Sequence, residues 1–316
     1  MSLPEITARG LFLIADPHVA DAAPGQRLPG YREQIMDKLR RCLDRAAETG
    51  MVPVFLGDLF HWPRDNSNSL LVELIELFRP SLPWVLVGNH DKYQARFTDD
   101  VSLAVLGAAG AVRLMHEAGP QFVLQTTEGR ALVCASPDGF KLPAMFTRDE
   151  TTPEKVLWLS HHNIQFPEFP DKAQRIKEIP GVDWVINGHI HRPQPTVRKG
   201  GTTWANPGNI TRLTFSRRSL ERRPAAHAWT FGCEELERWE VEHLAFYEVF
   251  PRQDFPPEED EAKAESRFLE GLERLAWRRT QEGTGLKQFL QANLNPERPE
   301  TELIWKLYEE VVDERS

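Results

Sequence analysis

Histidine, aspartate and asparagine recur in this sequence in short polar blocks. They are Asp16-Pro17-His18, Gly57-Asp58, Gly88-Asn89-His90-Asp91, Ser160-His161-His162 and Gly188-His189-Ile190-His191. Imidazole nitrogen, carboxylate oxygen and amide oxygen suit Mn, Fe or Zn better than Mg or Ca, and the set lacks the thiolates of a structural zinc site. His189 and His191 stand two apart, so on an extended segment they share a side and can serve one ion or two adjacent ions. Each block alone has a plain reading: a strand-end loop, a turn pair, or a core histidine beside an exposed one. Five in succession argue for a shared site.

Each block follows an apolar run of strand length: Gly10–Ala15, Met51–Leu56, Trp84–Val87, Val156–Leu159 and Trp184–Asn187. Buried strands that stop at polar clusters deliver side chains to a sheet edge, where ligand sites of open α/β sheets lie. Between the runs, Ile35, Leu39, Cys42, Leu43 and Ala46 have helical spacing, which predicts a helix over 31–49 stopped by Gly50. Further helices are predicted over 70–78 and 101–109, and a hairpin over 122–125 and 131–135 around Thr126-Thr127-Glu128-Gly129. Early strand–helix alternation followed by a strand-rich half predicts two packed sheets covered by helices.

Composition bounds the rest. In 316 residues, 41% are hydrophobic and 27% charged, with a net charge of −9, which excludes wholesale disorder and an overall basic coat. No apolar run reaches the ~20 residues of a membrane helix. The N-terminus lacks the features of a secretory signal, and Cys42, Cys134 and Cys233 are too scattered for a disulfide framework. The expectation is a cytoplasmic protein without a membrane partner.

The ordered blocks Asp-x-His, Gly-Asp, Gly-Asn-His-Asp, His and Gly-His-x-His resemble the calcineurin-like metallophosphoesterase superfamily, over residues 11 to about 212. The resemblance implies a four-layer α/β/β/α sandwich and two divalent metal ions, Mn foremost with Fe or Zn as alternatives. One ion would take Asp16, His18, Asp58 and His191; the other would take Asp58, Asn89, His161 and His189, with Asp58 as bridge. His161 is preferred to His162 because it is nearer the strand end. In such sites two cations roughly 3.5–4 Å apart clamp a phosphate and activate a shared water. His90 would stabilise the transition state and protonate the leaving oxygen, a general-acid role. Asp91 would fix the His90 tautomer, or else cap a following helix.

Within the superfamily, Gly57-Asp58-Leu59-Phe60-His61 resembles SbcD-type DNA nucleases and their meiotic-recombination relatives. That resemblance implies that His61 assists phosphate handling; the plain alternative is a loop histidine packed beside Trp62. It also implies a DNA substrate, an SbcC-like ATPase partner and a homodimer. Residues 192–223 hold Arg192, Arg198, Lys199, Arg212, Arg217, Arg218, Arg222 and Arg223 against the single acid Glu221. Such a stretch directly after the histidine pair suits tracking of a nucleic-acid backbone, with Arg192, Arg212, Arg217 and Arg218 as candidate contacts. The alternatives are a small-molecule or protein phosphoesterase such as a cyclic-nucleotide phosphodiesterase, and a non-catalytic scaffold. The expected organisation is a catalytic domain over 1–250, an acidic Pro-rich linker over 251–262 and a helical segment over 263–316 that packs on the core or docks the partner.

Overall fold

The computed structural model describes residues 3–169, 174–255 and 304–305. The chain divides into two compact units, Met1–Pro256 and Pro257–Ser316. The linker predicted over 251–262 and the helical segment predicted over 263–316 lie outside the described residues, except for 251–255 and 304–305.

The first unit is built from two sheets. In chain order the strands and helices begin with β1 (Glu5–Thr7), β2 (Gly10–Ile14), α1 (Tyr31–Thr49), β3 (Val52–Phe55), α2 (Asn68–Phe78), β4 (Trp84–Leu86), α3 (Ser102–Ala108) and β5 (Arg113–Met115). Next come β6 (Gly119–Gln125), β7 (Arg130–Ser136), β8 (Lys155–Ser160), β9 (Ile164–Gln165), β10 (Gln174–Arg175), β11 (Trp184–Asn187), β12 (Gln194–Lys199) and β13 (Thr202–Asn206). Last are α4 (Arg217–Glu221), β14 (Ala225–Thr230), β15 (Glu237–Glu240) and α5 (Phe246–Val249). One sheet runs β15-β14-β2-β3-β4-β5 and the other β1-β6-β7-β8-β11-β13-β12.

The predicted helices form with small shifts at their ends. Ser67 caps α2 by accepting from Leu70 N, which starts the helix at Asn68. Gly50 closes α1 in the left-handed conformation (φ 65°), its N–H reaching the carbonyls of Ala46 and Ala47. The hairpin forms as the antiparallel pair β6–β7, with Thr126 Oγ1 accepting from Glu128 N and Gly129 N.

Three apolar layers explain the stacking. Leu11, Leu13, Val54 and Leu86 of one sheet meet Phe122, Val133, Leu157 and Ile186 of the other in a core from which water is excluded. Ile35, Leu39 and Leu43 of α1, with Leu70, Leu74 and Leu103 of α2 and α3, cover the outer face carrying Phe12, Phe55 and Val85. The outer face of the second sheet, with Trp158, Val185 and Trp204, is covered by Ile164, Phe166, Ile179 and Ile190. The parallel neighbours β2, β3 and β4 therefore end on one edge of their sheet. The parallel neighbours β8 and β11 end likewise in the other.

Candidate metal centre

The polar blocks sit just beyond these five strand ends, and the backbone there is strained. Among the described residues, five non-glycine positions have positive φ, and four are Asp16 (45°), His18 (52°), Asp58 (49°) and His189 (69°). Such conformations cost roughly 1–3 kcal/mol each and persist only where surroundings impose them. Cross-loop hydrogen bonds do so. His18 N donates to Asp58 O at 3.0 Å, and Val19 N to Leu59 O at 2.8 Å. His189 N donates to Asp16 Oδ1 at 2.9 Å, and His90 N to Asp58 Oδ1 at 2.8 Å. Gly88 is required by proximity, since a Cβ there would overlap Asp58 Oδ1 and the Asp58 backbone N.

Each carboxylate thus commits one oxygen to another loop and turns the other inward. Asp16 Oδ2 is buried without a hydrogen-bond partner. Asp58 Oδ2 lies 3.7 Å from His18 Nε2 and 3.3 Å from His161 Nε2, between two histidine groups. Two ligand sets share it. The ligand atoms of Asp16, His18, Asp58 and His191 lie within 4.8 Å of one another, as do those of Asp58, His161 and His189. Asn89 Oδ1 joins the second set, 3.1 Å from His161 Nε2 and 2.9 Å from His189 Nδ1. Leu56 O, 2.7 Å from His161 Nδ1, accepts from that nitrogen and leaves Nε2 as the one that faces inward.

The electrostatics follow from burial. Burial pushes Asp16 up to about 7. It acts the same way on Asp58, but His161 and His90 outweigh it and hold Asp58 well below the usual carboxylate range. Burial lowers His189 to about 4 and His191 to about 3. It also holds His18 well below its ordinary value, reinforced by His90 and His191 despite the nearby Asp58. Burial would lower His161 as well, yet Asp58 and Asp16 push it up to about 10. Three imidazoles are therefore kept neutral, the form that binds metal.

A third cluster flanks the first. His61 Nδ1 lies 3.4 Å from His18 Nδ1, and the His61 ring stacks on His90 with centroids 5.5 Å apart. His61 also packs edge-on against Trp62 at 4.7 Å, so the packing alternative and the site position coexist. His90 Nδ1 is 2.8 Å from His61 O.

Three sequence expectations need correction or resolution. Asp91 neither orients the His90 ring nor caps a helix: its oxygens accept from Phe60 N at 3.0 Å and Gly88 N at 2.9 Å, tying the second block to the third. Arg212 is buried rather than displayed, because its guanidinium donates to the carbonyls of Arg222 and Leu244. Of the two candidate histidines, His161 lies in the cluster with Asp58 and His189, while His162 Nε2 faces Phe140 O. Arg192 pairs with Glu168 on the surface, and Arg217 and Arg218 begin the short helix α4.

Sequence reasoning missed two supports. Asn187 binds Ser160, His162, Gly188 and Asn206, joining the ends of β8, β11 and β13. Arg222 donates to the carbonyls of His191 and Asn209 at 3.0 Å each. The available signal was an asparagine at the end of an apolar strand; nothing in the local sequence marks Arg222.

The sequence profile described as calcineurin-like phosphoesterase matches residues 11–193. The chain belongs to the calcineurin-like phosphoesterase family. Members of that family hydrolyse phosphoesters with two divalent metal ions. No curated protein sequence matches the chain significantly. Among solved structures, a 5'-nucleotidase precursor from Thermus thermophilus aligns with TM-score 0.42 and 13% identity over 73% of this chain and 54% of that one. A hypothetical protein from the same organism gives 0.44 and 13% over 73% and 99%. The NAD nucleotidase of Haemophilus influenzae gives 0.41 and 10% over 73% and 50%. The chain thus spans about half the length of the two nucleotidases.

The side chains fit the family's metal pair. A buried carboxylate oxygen lacks a partner, the imidazoles at the first set are neutral, and Asp58 faces both sets. When bound, the ions supply positive charge for the phosphate and acidify a water. As a ligand, neutral Asn89 would add no further anionic charge, which would keep such a site attractive to an anion. His90 is held through its backbone by Asp58 and through its ring by His61 O, beside the ligand sets.

Proposed function

We propose that the chain hydrolyses phosphodiester bonds in DNA, as an SbcD-like nuclease loaded with Mn. One observation carries this reading. The histidine of Gly57-Asp58-Leu59-Phe60-His61 reaches the centre, against His18 and stacked on His90, so the fragment that resembles SbcD-type nucleases lines the site. The roles follow the two ligand sets: Asp16, His18, Asp58 and His191 for one ion; Asp58, Asn89, His161 and His189 for the other; His90 as proton donor with His61 beside it. Arg217 and Arg218 remain candidates for backbone phosphates. An SbcC-like ATPase partner and a homodimer belong to the same proposal.

The test is a cleavage assay with Mn²⁺ on single-stranded and linear duplex DNA beside a chromogenic phosphodiester and a phosphomonoester. The Asp58→Ala protein serves as blank. DNA cleavage absent from the blank supports the nuclease; cleavage equal in both identifies a contaminant.

A second reading is a phosphoesterase for a small substrate. It draws on the inward turn of Arg212 and Arg222, which leaves less basic surface for tracking a strand. Hydrolysis of the small esters with intact DNA and no salt-sensitive DNA binding would favour it.

A further inference from the structure

We propose that Trp62 is a platform on which a nucleobase of the substrate stacks, making the residue a determinant of specificity. This rests on the nuclease reading and names how that site recognises more than phosphate. Trp62 is 44% exposed, one of the few large hydrophobic side chains that the described surface displays to this extent. Isolated exposed apolar residues are common and need no role. Trp62 differs in its neighbours and its backbone.

Its indole meets His61 at 4.7 Å and 75°, and His61 lies 5.4 Å from His18 and stacks on His90 at 5.5 Å. A continuous series of rings therefore leads from the ligand sets through His61 to the partly exposed indole of Trp62. The loop carrying it is tied at several points. His61 N donates to Val19 O at 2.9 Å, and Ser102 N to Pro63 O at 2.7 Å. Asn66 Nδ2 donates to Trp62 O at 2.7 Å and to Ser102 Oγ at 2.9 Å. Arg64 lies over the Tyr93 ring at 3.5 Å and pairs with Asp100. An exposed ring on a loop held this firmly loses little conformational freedom when it stacks, so most of the contact energy reaches the bound state. Every base has a π-face, so such a platform grips nucleotides without reading their sequence.

The experiment compares the full-length Mn-loaded protein with Trp62→Ala and Trp62→Phe on two chromogenic diesters. One is bis(p-nitrophenyl) phosphate, which has no base. The other is the p-nitrophenyl ester of thymidine 5'-monophosphate. The expected result is a fall of roughly 10-fold, within the range that stacking on an aromatic provides, in the ratio of kcat/KM for the thymidine ester over the base-free ester in Trp62→Ala. The fall should reside in KM and be largely restored in Trp62→Phe. An unchanged ratio overturns the proposal, including when both activities drop together from a folding defect. A binding measurement in Ca²⁺ needs no turnover: wild type should hold an oligothymidylate more tightly than an abasic strand of equal length, and Trp62→Ala should not. Equal affinity of wild type for both strands also overturns it. If the small esters are hydrolysed but DNA is left intact, the nuclease reading fails while the ester ratio still decides the role of Trp62.

Discussion

The Nε2 atoms of His18 and His191 lie 2.9 Å apart although 173 residues separate them in the chain. Both rings are held neutral, His191 at about 3 and His18 well below its ordinary value, chiefly by burial. At that distance one ring can donate its N–H to the other; with both Nε2 atoms unprotonated, the same two lone pairs could meet on one cation. The unpartnered Asp16 Oδ2 is a further buried acceptor of the same set. If the pair serves as two ligands of one ion, removal of either ring has a measurable consequence. His191→Ala should lose one equivalent of divalent metal while His189 and His161 retain the other. Metal content by mass spectrometry and calorimetric titration would show this, and turnover should fall at least about 100-fold, the upper end of what outer-sphere partners cost. A variant that still binds two equivalents tightly would remove His191 from the ligand set.

Gly88 sets the distance between the loops after β3 and β4. A methyl group there would overlap Asp58 Oδ1, the oxygen that accepts from His90 N, and the Asp58 backbone. Gly88→Ala is expected to cost about 1–3 kcal/mol of stability, the usual effect of forcing a methylene into a packed region. Activity should fall much more than folding does, because Asp58 bears on both ligand sets and on His90. Urea titration and turnover on the same preparation would separate the two. Retained activity at wild-type level would show that the loops can part without consequence.

Much of this site was legible because its parts are local. Each block is a strand end plus two or three residues, so Asp16, His18, Asp58, Asn89, His161, His189 and His191 stand out in one dimension and converge once the strands align. The helices over 31–49 and 70–78 were legible for the same reason, as spacing and caps lie within the segment. What was hidden depends on non-local pairing. Asp91 resembles a partner for its neighbour His90, yet its carboxylate bonds Phe60 N, 31 residues earlier. Arg212 and Arg222 resemble a basic surface, but carbonyls brought in by the fold turn them inward. Composition cannot distinguish an arginine that meets water from one that meets the protein's own carbonyl groups.

His227 makes acid stability measurable apart from the metal centre. It lies in β14 opposite Leu13 and Arg238, its Nδ1 is buried without a partner, and burial lowers it to about 4 from 6.5. Between those values the unfolded chain holds a proton that the native state does not, so stability falls as pH falls through that window. At pH 5 this linkage amounts to about 2 kcal/mol for one group. His227→Leu should therefore gain stability relative to wild type on going from pH 8 to pH 5, by an amount of that order. Denaturant midpoints of the metal-free proteins at the two pH values test it. A difference that does not change with pH would mean that His227 titrates alike in both states.

The arginines of residues 212–218 should separate into two classes. Arg212 donates to two carbonyls in the interior, so Arg212→Gln removes charged donors from buried acceptors and should cost about 1–3 kcal/mol of stability. Arg217 and Arg218 start α4, which buries none of its residues, and the Arg217 guanidinium lies 5.7 Å from the Phe255 ring; an exposed contact of that kind is worth about 0.5–1 kcal/mol, so replacing both by Gln should lower the denaturation midpoint less than Arg212→Gln does. If they meet DNA phosphates, the double variant should bind duplex DNA more weakly and with a shallower salt dependence. The slope of log K against log salt should lose about 2, since each phosphate contact contributes roughly 0.9. Cleavage at saturating DNA should persist, because neither residue reaches the ligand sets. A salt slope identical to wild type would exclude Arg217 and Arg218 as phosphate contacts and weigh toward the small-substrate reading.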